Sequence, residues 1–349
     1  MPVESRPMKR PREDEPRPET PLTRSPDYWL EDGSIVLQVE ATQFRVAKTM
    51  LAMHSTVFKD MPSLPPADEP LIEGCPVVVL PGDKAADWKH LLDLMYPKTG
   101  FFDAKEDVPH FDSVAAVLRL SKKYDIPSFR KRCVARLKTT FPASLTAFDV
   151  KSKSRLWSEI HVGPGDDDWI NFLIQTVHLA RDAGLSSILP SVFYTLVMAE
   201  TANPGALAKV SSPHIAPSPV SHLQFQIPAA DELTLLKGHQ NMANDFGQGP
   251  MRWIDSAPAM PLIPCDTCSQ SQTCQSTMHY YRGYLLSAHA TSLPQLLIIF
   301  PAHIETRLCT ACFKTAKNAH HAGRTDSWER LPSYFGLPPW EELLKSDIG

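Results

Sequence analysis

Residues 31–46, EDGSIVLQVEATQFRV, alternate apolar and polar side chains on both sides of a short polar break. Alternation with a period of two places the apolar side chains of each half on one face of a β-strand. A turn fits at the break, so the stretch predicts a β-hairpin with one apolar face. The apolar positions of this face are Ile35, Leu37, Val39, Phe44 and Val46.

The residues that follow predict helices and a third strand. Residues 51–61, LAMHSTVFKDM, carry apolar side chains at helical spacing, and residues 75–83, CPVVVLPGD, form a short β-branched run that ends at proline and glycine. Three further stretches place apolar side chains three or four residues apart, as a helix with one buried face does. They run from Ala85 to Met95, from Val114 to Tyr124 and from Phe129 to Phe141. The sequence therefore predicts an α+β fold in which a small sheet comes first and a helical layer follows.

Four segments of this region carry a resemblance to a known family. They are FRVAKTMLAMHSTVFKDM (44–61), CPVVVL (75–80), WKHLLDLMYP (88–97) and LRLSKKYDIPSFRKRCVARL (118–137). Through them, residues 27–142 resemble a BTB/POZ domain. The resemblance implies a small sheet capped by helices and a role in protein–protein association. After FRV the family has a structural histidine, whereas this chain has Ala47.

Two segments resemble the fungal, mushroom-type members of the BTB family in particular. They are DYWLEDGSIVLQVE (27–40) and LPSYFGLPPWEEL (331–343). BTB homodimers draw on a helix before the first strand, but in this chain a proline-rich segment takes that position. The resemblance therefore implies unidentified protein partners and a homodimer that is weaker than in animal transcription factors of the family.

Composition and charge limit the surfaces that the chain can bind. The 349 residues have a formal net charge of -4 and a pI near 6.3, so no overall positive field attracts nucleic acid or an anionic membrane. Residues 1–26 mix both charges with proline and predict a disordered tail, in which KRPR at 9–12 is either a nuclear-import patch or a solvated cluster. Residues 293–304, the most apolar stretch, are about half as long as a membrane-spanning helix. We expect a cytoplasmic or nuclear protein that binds neither nucleic acid nor membrane directly.

Residues 143–349 predict a mainly α-helical C-terminal domain with long loops. Residues 163–185 read as a helix that begins at three aspartates and ends at a glycine. Residues 190–200 and 229–246 predict two more helices. Residues 203–228 are rich in proline and have no sustained period, so they predict a long excursion from the helical domain.

Two Cys-x-x-Cys motifs, CDTC at 265–268 and CTAC at 309–312, lie in this domain. Each such turn can direct two thiolates at one point about 2.3 Å from a zinc ion, and two turns complete a tetrahedron. The sequence therefore predicts one structural zinc ion, with Cys265, Cys268, Cys309 and Cys312 as ligands. Two alternatives stay open. Cys274 or His320 can replace one thiolate, or the thiols bind no metal.

The sequence lacks the common catalytic motifs, including G-x-S-x-G, H-E-x-x-H and a phosphate-binding glycine-rich loop. We therefore expect a non-enzymatic interaction protein that acts as a scaffold or adaptor through the BTB-like region. Two narrower hypotheses are a substrate adaptor of a cullin-type ubiquitin ligase and a transcriptional co-regulator. A hypothesis from another class is a zinc or thiol enzyme, which needs an open coordination position beside a cleft.

Overall fold

A computed structural model of the chain describes residues 21–61, 71–96, 108–154, 159–162, 166–202, 227–254, 262–289 and 296–347. The chain divides into two compact units, residues 1–98 and residues 99–349, which we call the sheet unit and the helical unit. The predicted patch at 9–12, most of the predicted tail and most of the predicted excursion lie outside the described residues.

A mixed sheet forms the base of the sheet unit. Its strands are β1 (Thr23–Trp29), β2 (Ile35–Val39), β3 (Thr42–Val46) and β4 (Val77–Val79), in the order β1-β3-β2-β4. β2 and β3 form the predicted hairpin, in which Leu37 pairs with Phe44 and the turn residue Glu40 has a φ of 51°. β1 runs parallel to β3, and β4 runs parallel to β2. The sheet thus contains both the predicted hairpin and the predicted third strand.

β1 was not predicted, and its first four residues lie within the predicted tail. Its sequence, TRSPDYW, buries Ser25 and Tyr28, which are three residues apart, so the alternation expected of a strand is missing. The pairing of β1 with β3 is irregular between Arg24 and Trp29. Because β1 is an edge strand, Pro26 is tolerated in this irregular part.

Three helices of the sheet unit cap the sheet. They are α1 (Lys48–His54), α2 (Thr56–Asp60) and α3 (Ala85–Met95). The Oγ of Ser55 accepts a hydrogen bond from the Phe58 amide at 3.1 Å and caps α2. Glu40 Oε2 accepts a hydrogen bond from the Ala85 amide at 2.9 Å, so the hairpin turn fixes the start of α3. The side chains buried most completely in this unit include Val36, Leu37, Leu51, Phe58, Trp88, Leu91 and Leu92.

Two polar contacts hold the ends of these helices. The indole Nε1–H of Trp88 donates to the buried carboxylate of Asp83 at 2.8 Å, which satisfies the donor of a fully buried ring. Ala47 precedes α1, and its amide donates to the hydroxyl of Tyr96 at 3.1 Å. The tyrosine after α3 therefore binds the backbone at the start of α1.

The described part of the helical unit is built from helices. They are α4 (Phe111–Lys123), α5 (Pro127–Thr140), α6 (Leu145–Ser154), α7 (Asp166–Ala183), α8 (Leu189–Ala202), α9 (Ala229–Asp245), α10 (Ser271–His289), α11 (Thr310–Tyr334) and α12 (Trp340–Ser346). α7 begins and ends as predicted, and Gly184 after it has a φ of 74°, which favours glycine. The fold is therefore the predicted one, a small sheet capped by helices and then a helical C-terminal region.

The helix α11 carries a buried ion pair. It packs against α8 and α9. The guanidinium of Arg324, only 4% exposed, binds both carboxylate oxygens of Asp149 on α6, at 3.1 and 2.5 Å, and donates to the carbonyl of Leu297. Further along α11, Trp328 stacks on Trp340 of α12 with the ring centres 5.2 Å apart.

Candidate metal centre

Five cysteines from three neighbouring segments of the helical unit meet. Cys265 and Cys268 lie in the loop before α10, Cys274 lies on the first turn of α10, Cys309 immediately precedes α11, and Cys312 lies on the first turn of α11. The hydroxyl of Thr277 on α10 donates to the carbonyl of Arg307 at 3.0 Å. This bond ties α10 to the segment that leads to Cys309.

The sulfur atoms of four of these cysteines lie within 4.8 Å of one another. The four are Cys268, Cys274, Cys309 and Cys312, which we call the sulfur cluster. The distance between the Sγ atoms of Cys268 and Cys309 is 3.7 Å. Cys265 is not in the cluster, but its Sγ lies 3.6 Å from the Sγ of Cys312. A tetrahedral zinc ion with bonds of 2.3 Å to sulfur holds its ligands about 3.8 Å apart, close to the 3.7 Å between Cys268 and Cys309, so the cluster fits a single ion.

The chemistry of the cluster fits a closed structural site. Thiolates are soft ligands that bind Zn²⁺ well, and four of them complete its coordination without an open position for a water or a substrate. Backbone amides support negative sulfur atoms here. The Cys309 amide donates to the Sγ of Cys274 at 3.3 Å, and the Cys265 amide donates to the Sγ of Cys312 at 3.4 Å. Such bonds hold metal ligands in place.

The thiols of the cluster differ in how easily they lose a proton. The backbone amides of Cys312 and Ser269 lower the pKa of Cys309 to about 5, because they favour the thiolate at the start of α11. Burial raises the pKa of Cys312 and the pKa of Cys274. The surroundings therefore favour the thiolate at Cys309, whereas the thiols of Cys274 and Cys312 need the charge of a bound cation to deprotonate.

Three of the four predicted ligands, Cys268, Cys309 and Cys312, are in the cluster. The fourth member is Cys274, which the sequence offered only as a replacement, and the predicted ligand Cys265 contacts the cluster at Cys312. The other proposed replacement, His320, is not in the cluster. Its Nε2 lies 2.9 Å from the carbonyl oxygen of Ile298. Which four thiols bind an ion stays a prediction.

One signal in the sequence points to Cys274. Cys274, Met278 and Tyr281 are buried and stand four and then three residues apart, so they form the inward face of α10. A cysteine on the inward face of a helix that begins three residues after Cys268 is placed to join the same site. Without that helix assignment, the spacing between Cys268 and Cys274 matches no common zinc motif.

The two remaining cysteines are buried elsewhere. Cys133 lies on the apolar side of α5, where burial raises its pKa to about 11 although Arg136 and Arg132 oppose the shift. Cys75 lies beside β4, and its Sγ is 3.1 Å from the carbonyl oxygen of Gly33. Cys133 therefore serves as a control for any experiment on the cluster.

Comparison with known protein families finds a match in the N-terminal part of the chain. No curated protein matches the sequence. Among the described residues, no helix is long and apolar enough to cross a membrane. The model of the BTB/POZ domain family matches residues 32–141, which include β2 to β4 and α1 to α5.

Proposed function

From the BTB/POZ domain at residues 32–141, we propose that this chain is a non-enzymatic scaffold or adaptor. The family match carries the proposal, because BTB/POZ domains are generally protein–protein interaction modules. On this proposal residues 27–142 bind a protein partner, and residues 143–349 form a second domain. A homodimer is weak, since the proline-rich segment stands where other members have a dimerising helix.

Exposed apolar side chains in the sheet unit support a binding role. Met53 on α1 is 73% exposed, and Val57 on the adjacent α2 is 43% exposed. Val79, on the edge strand β4, is 60% exposed. Burying such side chains against a partner contributes about 25 cal/mol for each Å² of apolar surface removed from water.

Affinity capture with the full chain tests this role. We expect Met53→Glu together with Val57→Glu to abolish capture of the partners that the wild-type chain retains, because two carboxylates would be buried in the interface. The matched control is Leu236→Glu, at a leucine of α9 that is 65% exposed. If the double variant keeps every partner, α1 and α2 do not form the interface. A chain that is strictly monomeric in sedimentation and captures no partner would overturn the proposed function.

Narrower versions of the proposal differ in the partner. A substrate adaptor of a cullin-type ligase would bind the N-terminal region of a purified cullin, and a transcriptional co-regulator would enter the nucleus through residues 9–12. Either role places the chain in the cytoplasm or the nucleus, without direct contact with nucleic acid or membrane. An affiliation with the mushroom-type BTB proteins rests on residues 27–40 and 331–343 alone.

We further propose that one structural zinc ion holds the C-terminal domain together. The sequence proposes Cys265, Cys268, Cys309 and Cys312 as ligands, and Cys274 competes for one position. The short sulfur–sulfur distances support the ion, and a shell of four thiolates favours a structural role over a zinc enzyme. Purified chain should contain one zinc per molecule by mass spectrometry, and a chelator should destabilise the helical unit. A metal-free chain of unchanged stability would contradict the proposal.

A further inference from the structure

Five thiols surround a site at which a zinc ion accepts four. Cys268, Cys309 and Cys312 belong to both possible ligand sets, so the fourth position lies between Cys265 and Cys274. The choice between these two cysteines rests on the proposed zinc ion. The cysteine that does not bind the ion is left with a free thiol next to the site.

Burial and distance favour Cys274 as the ligand. Its Sγ lies within 4.8 Å of the sulfurs of Cys268, Cys309 and Cys312, and its side chain is 0% exposed. It is held on the first turn of α10, where its own amide donates to the carbonyl of Gln270 at 2.9 Å. Cys274 therefore places a buried sulfur, held on a helix, close to each of the other three ligands.

Cys265 has a different environment. It lies in a loop and, like Cys268, is partly exposed, and its Sγ is 3.7 Å from the hydroxyl oxygen of Thr267 as well as 3.6 Å from the Sγ of Cys312. Cys265 lies outside the four sulfurs that are within 4.8 Å of one another, so on this assignment it touches one ligand of the ion rather than the ion itself. Oxidants in solvent reach a partly exposed thiol more easily than a buried one such as Cys274. Cys268 is also partly exposed, but on this assignment its thiolate is bound to the ion.

We propose that Cys268, Cys274, Cys309 and Cys312 hold the ion, and that Cys265 is a fifth thiol that peroxide oxidises into a disulfide with Cys312, which releases the metal. A disulfide bond is about 2.0 Å long, so the two sulfurs must approach by about 1.6 Å. The loop that carries Cys265 supplies this movement, since Cys312 is fixed on α11. Loss of Cys312 as a ligand leaves three thiolates, and the closed tetrahedron opens.

The reaction balances with hydrogen peroxide as the oxidant. The sulfur of Cys265 attacks one peroxide oxygen and the O–O bond breaks, which gives a sulfenic acid and, with the thiol proton, one water. The sulfur of Cys312 then attacks the sulfur of Cys265, the S–O bond breaks, and the departing hydroxide takes a proton from solvent to leave as a second water. Two electrons pass from the two sulfurs to peroxide, and Zn²⁺ leaves without a change of charge.

The test uses the full chain and three single variants, with zinc content measured before and after exposure to hydrogen peroxide. We expect Cys265→Ser to retain zinc and to release it about tenfold more slowly than wild type under peroxide, because the first thiol to be oxidised is gone. Cys274→Ser should lose the ion without oxidant. Cys133→Ser, the control, should behave as wild type. Peptide mapping of oxidised wild type without reductant should find Cys265 joined to Cys312.

The possible results distinguish the proposed structural zinc ion from the proposed oxidation of Cys265. A wild-type chain that never contains zinc would overturn the structural ion itself. A chain that contains zinc but loses it in Cys265→Ser and keeps it in Cys274→Ser would leave the ion in place and overturn the assignment of the fifth thiol. Equal release rates in wild type and Cys265→Ser, or a disulfide mapped to another pair, would overturn the oxidation step.

Discussion

The two units of this chain bury different chemistry. The sheet unit is held by apolar side chains around Leu37, Leu51 and Trp88, and its buried acid Asp83 accepts from an indole. The helical unit also buries the guanidinium of Arg324 and three of the four cysteines of the cluster. An apolar core depends little on solution conditions, whereas thiols and charged groups depend on metal, oxidant and pH. We therefore expect the helical unit to respond to conditions that leave the sheet unit unchanged.

Loss of the metal should produce the largest difference in stability between the helical unit and the sheet unit. Cys309→Ser removes a ligand from either candidate set, so we expect loss of zinc and destabilisation of the helical unit by about 5 kcal/mol, part of the binding energy of a structural ion. Hydrogen exchange read by mass spectrometry should show faster exchange in peptides of α10 and α11. Peptides of β2 and β3 should not change.

The matched control is Cys133→Ser, which removes a buried thiol from α5 but should leave the zinc content at one ion per chain. Unchanged exchange in α11 after Cys309→Ser would contradict a metal-dependent helical unit.

The buried ion pair should have the next largest effect. Arg324→Met removes the guanidinium that binds Asp149 and the carbonyl of Leu297, and breaking a buried pair costs about 3 kcal/mol. Arg330→Met is the matched control on the same helix. The Arg330 side chain is 48% exposed where it meets Asp245, so its loss should cost about 1 kcal/mol or less. Urea unfolding of the full chain measures both values, and equal losses would mean that burial does not set the difference.

The sequence predicts the elements that have a local periodic pattern, and it does not predict contacts between residues far apart in the chain. The hairpin of residues 31–46 is predicted from the sequence because its apolar side chains alternate. The helix α7 is predicted because acidic residues begin it and Gly184 ends it. β1 is not predicted, because TRSPDYW does not alternate apolar and polar side chains. Its strand conformation depends on pairing with β3. The approach of Cys274 to Cys309 depends on the packing of α10 beside the start of α11. Helical spacing places Cys274 on the inward face of α10 but does not predict this packing. The pairing of Arg324 with Asp149 joins residues 175 positions apart for the same reason.

A smaller change should affect the sheet unit alone. Trp88→Phe removes the Nε1–H that donates to Asp83 and leaves a smaller ring in the core, which we expect to cost about 2 kcal/mol. Zinc content should be unchanged, and faster exchange should be confined to the peptides of the sheet unit. Trp29→Phe, at the end of the edge strand, is the control and should cost about 0.5 kcal/mol. Altered zinc binding in Trp88→Phe would contradict the independence of the two responses.

The smallest effect we predict is a dependence of the helical unit on pH through His320. Burial lowers the pKa of this side chain below its ordinary 6.5, and the nearby charge of Arg324 acts in the same direction. The unfolded chain therefore takes up more protons than the folded chain below pH 6.5, so stability falls as the pH falls through this range. His320→Gln keeps an amide that can donate to the Ile298 carbonyl but does not titrate, so its stability should fall less between pH 7 and pH 5. Protonation of the metal ligands acts on both chains alike, and the difference between their pH profiles in urea unfolding isolates the histidine. Identical profiles would mean that His320 takes up its proton equally in the folded and unfolded chains.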